Sequence, residues 1–183
     1  MAQPTALTDP AALARNRARA HALFLQDTAR DELQDRVAMV NKPFHAAAVV
    51  TGFPAVWTQS AATIVSDNDV LDIAEGAHDL VMHSLGLHWA NDPVGQLIQC
   101  RRALKPDGLL LVVALGGQTL HELRAAFAQA EADITGGLSP RVAPMAEIRD
   151  LGALMQRAGL ALPVADSATL TTTYASPLYL LHD

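Results

Sequence analysis

Residues 78–117 read HDLVMHSLGLHWANDPVGQLIQCRRALKPDGLLLVVALGG, and the fold is decided there. Two apolar runs, residues 79–84 and 109–115, bracket the stretch. Each has the length of a strand and lacks polar/apolar alternation, as strands buried on both faces of a parallel sheet do. Between them Asn91-Asp92-Pro93 offers a helix start, a capping side chain ahead of a proline. Val94, Leu97, Ile98 and Leu104 recur at helical spacing, and Lys105-Pro106-Asp107-Gly108 supplies a stop and a turn. The unit is strand–helix–strand with a right-handed crossover. This makes the chain an α/β protein.

Composition bounds the rest. The 183 residues are 50% hydrophobic and 17% charged, which suits one folded domain with a substantial core rather than disorder. A net charge of −6 argues against a general nucleic-acid binder. A single cysteine, Cys100, excludes an intramolecular disulfide, suits a reducing compartment and reads as a small buried hydrophobe. No apolar run is long enough to span a bilayer and no basic-then-apolar leader opens the sequence, so the expected location is cytoplasmic.

Working outward, Asp9-Pro10 opens a helical segment to about residue 25 that carries Arg15, Arg17 and Arg19. A second helix is predicted over residues 28–41, with Leu33, Val37 and Val40 on one face. The arginines read as a solvated face balanced by Asp27, Asp31, Glu32 and Asp35. Residues 1–43 thus form an N-terminal helical segment packing on an α/β domain of residues 44–183. Within that domain residues 44–50 read as the first strand and 62–65 as the second. Parallel connections need about a dozen residues each. The gap between Gly52 and Asp79 therefore holds one strand, and the first half of the sheet is abridged. Beyond residue 117, Thr119 and Glu122 match a capping box ahead of a helix that runs to Gly136-Gly137. Residues 138–144 (LSPRVAP) form a stiff loop, and residues 146–158 a further helix capped by Gly159. Residues 162–174 read as one long or broken strand, and Ser176-Pro177 starts a last helix.

Open α/β sheets bind ligands outside the carboxyl ends of their strands. That rule selects residues 51–54, 66–69, 84–91 and 115–118, and with them Thr51, Gly52, Asp67, Asp69, Ser84, His88 and Trp89. His88-Trp89 places an imidazole and an indole on a loop after a central strand, where they can stack on a flat ligand or pack the loop. His78, Asp79, His83 and His88 cluster in sequence, but His88 falls past the strand end and no metal-ligand spacing accompanies them. No metal site is assigned. There is neither a G-x-S-x-G elbow nor a Walker-type phosphate loop.

Asp79-Leu80-Val81, Leu87-His88-Trp89, Asp92 and the run from Arg102 through Gly108 together resemble the class I S-adenosylmethionine-dependent methyltransferases. The likeness is to the type 11 group, which includes the malonyl-carrier-protein methyltransferase of biotin synthesis. GGQTLHELR at residues 116–124 and GGLSPRVAP at residues 136–144 resemble a branch related to a mitochondrial complex I assembly factor, associated with arginine hydroxylation of a complex I subunit. The resemblance implies a Rossmann-like, mostly parallel sheet with helices on both faces, here without the usual C-terminal closing strand. It also implies S-adenosylmethionine as cofactor, bound by Thr51, Gly52, Asp67 or Asp69, Ser84, His88 and Trp89. The implied partner is a protein substrate or a respiratory-complex subunit.

The sequence departs from the family where the cofactor is gripped. An acid and a glycine-rich turn belong after the first strand, and Val50-Thr51-Gly52-Phe53-Pro54 stands there instead. No general base stands out. Two readings follow: a methyltransferase with a degenerate cofactor site, or a non-catalytic assembly module that keeps the fold and binds a protein through residues 138–144 or the N-terminal helices.

Overall fold

The computed structural model describes residues 6–182. Four parallel strands form its sheet: β1 (Ala47–Thr51), β2 (Thr63–Ser66), β3 (His78–Ser84) and β4 (Leu104–Val113), in the order β2-β1-β3-β4. The order reverses between β1 and β3, which is the switch point at which such sheets take ligands. No strand follows β4 among the described residues. The abridged first half is present too, since one strand and a 3₁₀ turn at Pro54–Trp57 are all that separates β1 from β3.

Helices cover both faces. Helix α2 (Phe24–Met39) buries Leu33 against Val49, Trp57, Leu80 and Met82. On the other face α3 (Pro93–Ala103) sets Cys100 and Ala103 against Ala48, Val50, Val65 and Val81. Alternate residues of β1 and β3 thus point into different cores, so both strands are buried on both faces. The Asp92 side chain accepts from the Gly95 N–H at 2.8 Å, capping α3 as the sequence predicts. Helix α1 (Pro10–Arg17) is capped by Asp9 and buries none of its residues. Helix α4 (His121–Thr135) also has no buried residue, α5 (Ile148–Arg157) packs on α3, and α6 spans Pro177–His182.

Several sequence expectations are corrected. The first helix ends at Arg17 and the second begins at Phe24. No capping box forms at Thr119, whose hydroxyl instead donates to the Gly116 carbonyl at 2.7 Å, and the helix follows Leu120 at φ +55°. Residues 105–108 join β4 rather than forming a free turn, with Asp107 at φ +61° and a register break between His78 and Leu80. Residues 162–174 make no strand, and Leu162 and Val164 are each 92% exposed. An apolar run becomes a strand only where a sheet edge accepts its hydrogen bonds.

Candidate functional site

Parallel strands bring their carboxyl ends to one side. Thr51, Ser66 and Ser84 lie in register there, each the last residue of its strand. Gly52 continues from Thr51, Asp67 from Ser66, and the buried segment Leu85-Gly86-Leu87 leads from Ser84 to His88 and Trp89. Leu85 stands at φ +48°, a conformation that costs an L-residue energy and sharply redirects the chain after β3. All seven residues selected from sequence sit at this end, and Gly52, Asp67, Asp69 and Trp89 border one feature or the cavity beside it. Asp69 is the exposed member of the set, and its backbone carbonyl is held by Gln99 at 2.9 Å.

The common feature is Arg17. It reaches from the end of α1 and pairs with Asp67 through two parallel hydrogen bonds, Nη1 to Oδ1 and Nη2 to Oδ2, both 2.7 Å. This fork-on-fork geometry is the strong form of a charged pair. The Asp67 side chain is only 6% exposed, so the pair sits largely out of water. The guanidinium lies directly on Gly52, where any Cβ would run into it, and its centre is 5.7 Å from the Phe53 ring. The expectation of a solvated arginine face therefore holds for Arg15 and Arg19, which are exposed, and fails for Arg17.

Two glutamines on α3 fix the Asp67 loop. The Gln96 amide donates to the carbonyls of Asp67 and Asn68 at 3.1 and 2.9 Å. Its oxygen then faces the buried His83 Nε2 at 3.1 Å, so His83 carries its proton on Nε2 and leaves Nδ1 bare. Burial lowers the pKa of His83 and keeps the ring neutral. Gln99 spans the next residues, donating to Asp69 and accepting the Leu71 N–H at 2.8 Å. His88 accepts a long bond from the Leu115 N–H at 3.4 Å and packs on Trp89, ring centroids 5.1 Å apart. Burial first, and then the positive charge of Arg17, lowers its pKa to about 4.

Beside these groups lies a cavity of about 300 Å³, at the small end for a ligand pocket, lined by Leu13, Ala14, Arg17, Asp67, Asp69 and Trp89. Ser84 Oγ and His83 Nδ1 are buried without a partner at the same end. The described residues contain no group of three His, Cys, Asp or Glu side chains placed to hold a metal ion. Arg17, His83, Gln96 and Gln99 were not singled out as site residues from sequence. The available signal was a pair of glutamines on an otherwise apolar helix face directly after the His88-Trp89 loop.

A family model described as a methyltransferase domain matches residues 11–112, over half of the chain. The chain belongs to this methyltransferase family. Human "Arginine-hydroxylase NDUFAF5, mitochondrial" is 37% identical over 121 residues, covering 66% of this chain and 35% of that protein. Its Danio rerio counterpart is 36% identical over 123 residues, 67% of this chain and 38% of that protein. "Malonyl-[acyl-carrier protein] O-methyltransferase" of Laribacter hongkongensis is 37% identical over 119 residues, 65% of this chain and 38% of the enzyme. The matched part thus spans little more than a third of these relatives. A crystal structure of a SAM-dependent methyltransferase, possible histamine N-methyltransferase, from Thermotoga maritima shares the fold, with a TM-score of 0.50 at 15% identity. It covers 75% of this chain and 74% of that one. The mitochondrial relatives overturn the cytoplasmic expectation. No helix among the described residues is long and apolar enough to cross a membrane.

The site fits the cofactor of this family in part. Asp67 offers a buried carboxylate, Gly52 a position without a side chain, and Ser84 Oγ and His83 Nδ1 two orphaned polar atoms. The fit requires Arg17 to withdraw, because its guanidinium occupies Asp67 and lies on Gly52.

Proposed function

We propose that the chain is a methyltransferase-like factor in the assembly of respiratory complex I, acting on or with a protein partner and binding S-adenosylmethionine at the carboxyl ends of its strands. The observation that carries this reading is the convergence of Thr51, Gly52, Asp67, Ser84, His88 and Trp89 at the switch point of the sheet. Asp67 would accept hydrogen bonds from the cofactor's sugar hydroxyls, and Gly52 would let it approach the backbone. Trp89 would supply an apolar face. When bound, S-adenosylmethionine supplies an electrophilic methyl group. This chain's contribution to transfer would be alignment of an acceptor and exclusion of water. His88, held neutral, would offer no positive charge against the sulfonium.

Titration calorimetry with S-adenosylmethionine and its demethylated product tests the reading. It predicts submillimolar binding that Asp67→Ala weakens. The absence of heat at millimolar ligand would remove the cofactor from the account.

A second reading has its own observation. Arg17 fills the cradle, and a protein closed in this way can serve as an assembly module without catalysis. Affinity capture from cells examines that role, which fails if no subunit or precursor of the respiratory complex is enriched.

A further inference from the structure

We propose that α1 is a releasable strap and Arg17 its lock, so that the ligand end of the sheet exists in a closed state, described here, and an open one. The gating half of this proposal rests on the cofactor reading; the strap itself does not.

Few groups attach the strap. None of its residues is buried, and α1 makes no extensive contact with any other element. Its start is tied by Thr8 and Asn91, whose backbone and amide groups exchange hydrogen bonds at 2.9 and 3.2 Å. Its end is held by the two bonds from Arg17 to Asp67 and by the Phe53 ring. Helices of eight residues do not persist on propensity alone, so α1 depends on these anchors.

The closed state is also poorly satisfied. Arg17 Nε, Ser84 Oγ and His83 Nδ1 are three of the four buried side-chain polar atoms without a partner among the described residues. Native structures leave few such atoms, and each carries a desolvation cost. All three lie at the carboxyl end of the strands, where Arg17 lines the 300 Å³ cavity. A site under-satisfied when closed favours an occupant able to use those atoms. Withdrawal of Arg17 would uncover Gly52 and return both oxygens of Asp67 to a ligand. The two residues are 50 apart in sequence, so strap position reports directly on the site.

Amide hydrogen exchange and calorimetry on the whole chain, wild type against Arg17→Ala, test the proposal. Amides of residues 13–18 should exchange at least about tenfold faster in the variant, while β1 and β3 stay protected. Affinity for S-adenosylmethionine should rise by a similar factor, because binding to wild type is reduced by the fraction that is open. Removing Arg17 leaves Asp67 buried and unpaired, so the double variant Arg17→Ala with Asp67→Asn, read by exchange alone, guards against general unfolding. Strap amides that are unprotected in wild type, or unchanged in both variants, overturn the lock. A loosened strap with unchanged cofactor affinity overturns gating. A loosened strap with no heat from either protein refutes the cofactor reading and upholds the lock.

Discussion

Replacing Gln96 by alanine should unfasten the site from inside the core. Gln96 is 1% exposed and accepts from His83 while donating to the Asp67 and Asn68 carbonyls. Those carbonyls lie on a loop that water reaches, so solvent replaces their donor at little cost. His83 is fully buried, and its Nε2–H would lose its only acceptor. An unsatisfied buried donor costs about 1–3 kcal/mol, and the truncated side chain adds about 1 kcal/mol of lost packing. A total near 3 kcal/mol lowers the melting temperature of a chain this size by about 6–12 °C. Urea unfolding of Gln96→Ala should show that loss with an unchanged slope, and amides of residues 67–71 should exchange faster. A loss below about 1 kcal/mol would refute the cost assigned to the buried His83–Gln96 bond, and unchanged exchange at residues 67–71 would refute Gln96 as the clamp of the Asp67 loop.

Other consequences follow from single groups. Burial and Arg17 hold His88 at a pKa of about 4, below its unfolded value near 6.5, so its neutral form stabilises the fold above pH 6.5. That contribution, at most about 3 kcal/mol, is lost as the pH falls from 6.5 toward 4, and His88→Gln should flatten the stability profile in this window. Burial pushes the Cys100 thiol up to about 12, so a thiol reagent should label it only after unfolding. Glu131 binds the Ser139 backbone and hydroxyl and the Arg141 guanidinium, which lower its pKa to about 2. Glu131→Ala should therefore speed proteolytic cleavage within residues 138–144 severalfold without moving the melting temperature appreciably; unchanged cleavage would mean the prolines alone hold that loop.

The sequence made the sheet legible because residues 48–50 of β1 and 80–82 of β3 are apolar without alternation, as a strand with a core on each face requires. It misled where local signals outweighed partners. Thr119 and Glu122 have the spacing of a capping box, yet Gly117 at φ +56° and Leu120 at φ +55° turn the chain and give the Thr119 hydroxyl to Gly116. Residues 162–174 have strand composition but pair with no strand among the described residues. The placement of Gly52, Asp67 and His88-Trp89 just past the strand ends was legible from the strand pattern alone. Arg17 was not, because its partner lies 50 residues away while Asp27 and Asp31 offered nearer acids. In the fold those two acids bind Arg30 instead. Helical spacing reports which side chains share a face; it does not report which distant loop that face meets.

The central claim is that this methyltransferase fold keeps its ligand end at Gly52, Asp67 and the His88-Trp89 loop. A ¹H–¹⁵N correlation spectrum recorded during titration with S-adenosylmethionine tests it most directly. The account predicts saturable shifts at the Gly52, Asp67 and Gly86 amides and the Trp89 indole, together with a change at the Arg17 Nε–H. Shifts confined to other surfaces, or a spectrum unmoved at millimolar ligand, would contradict it.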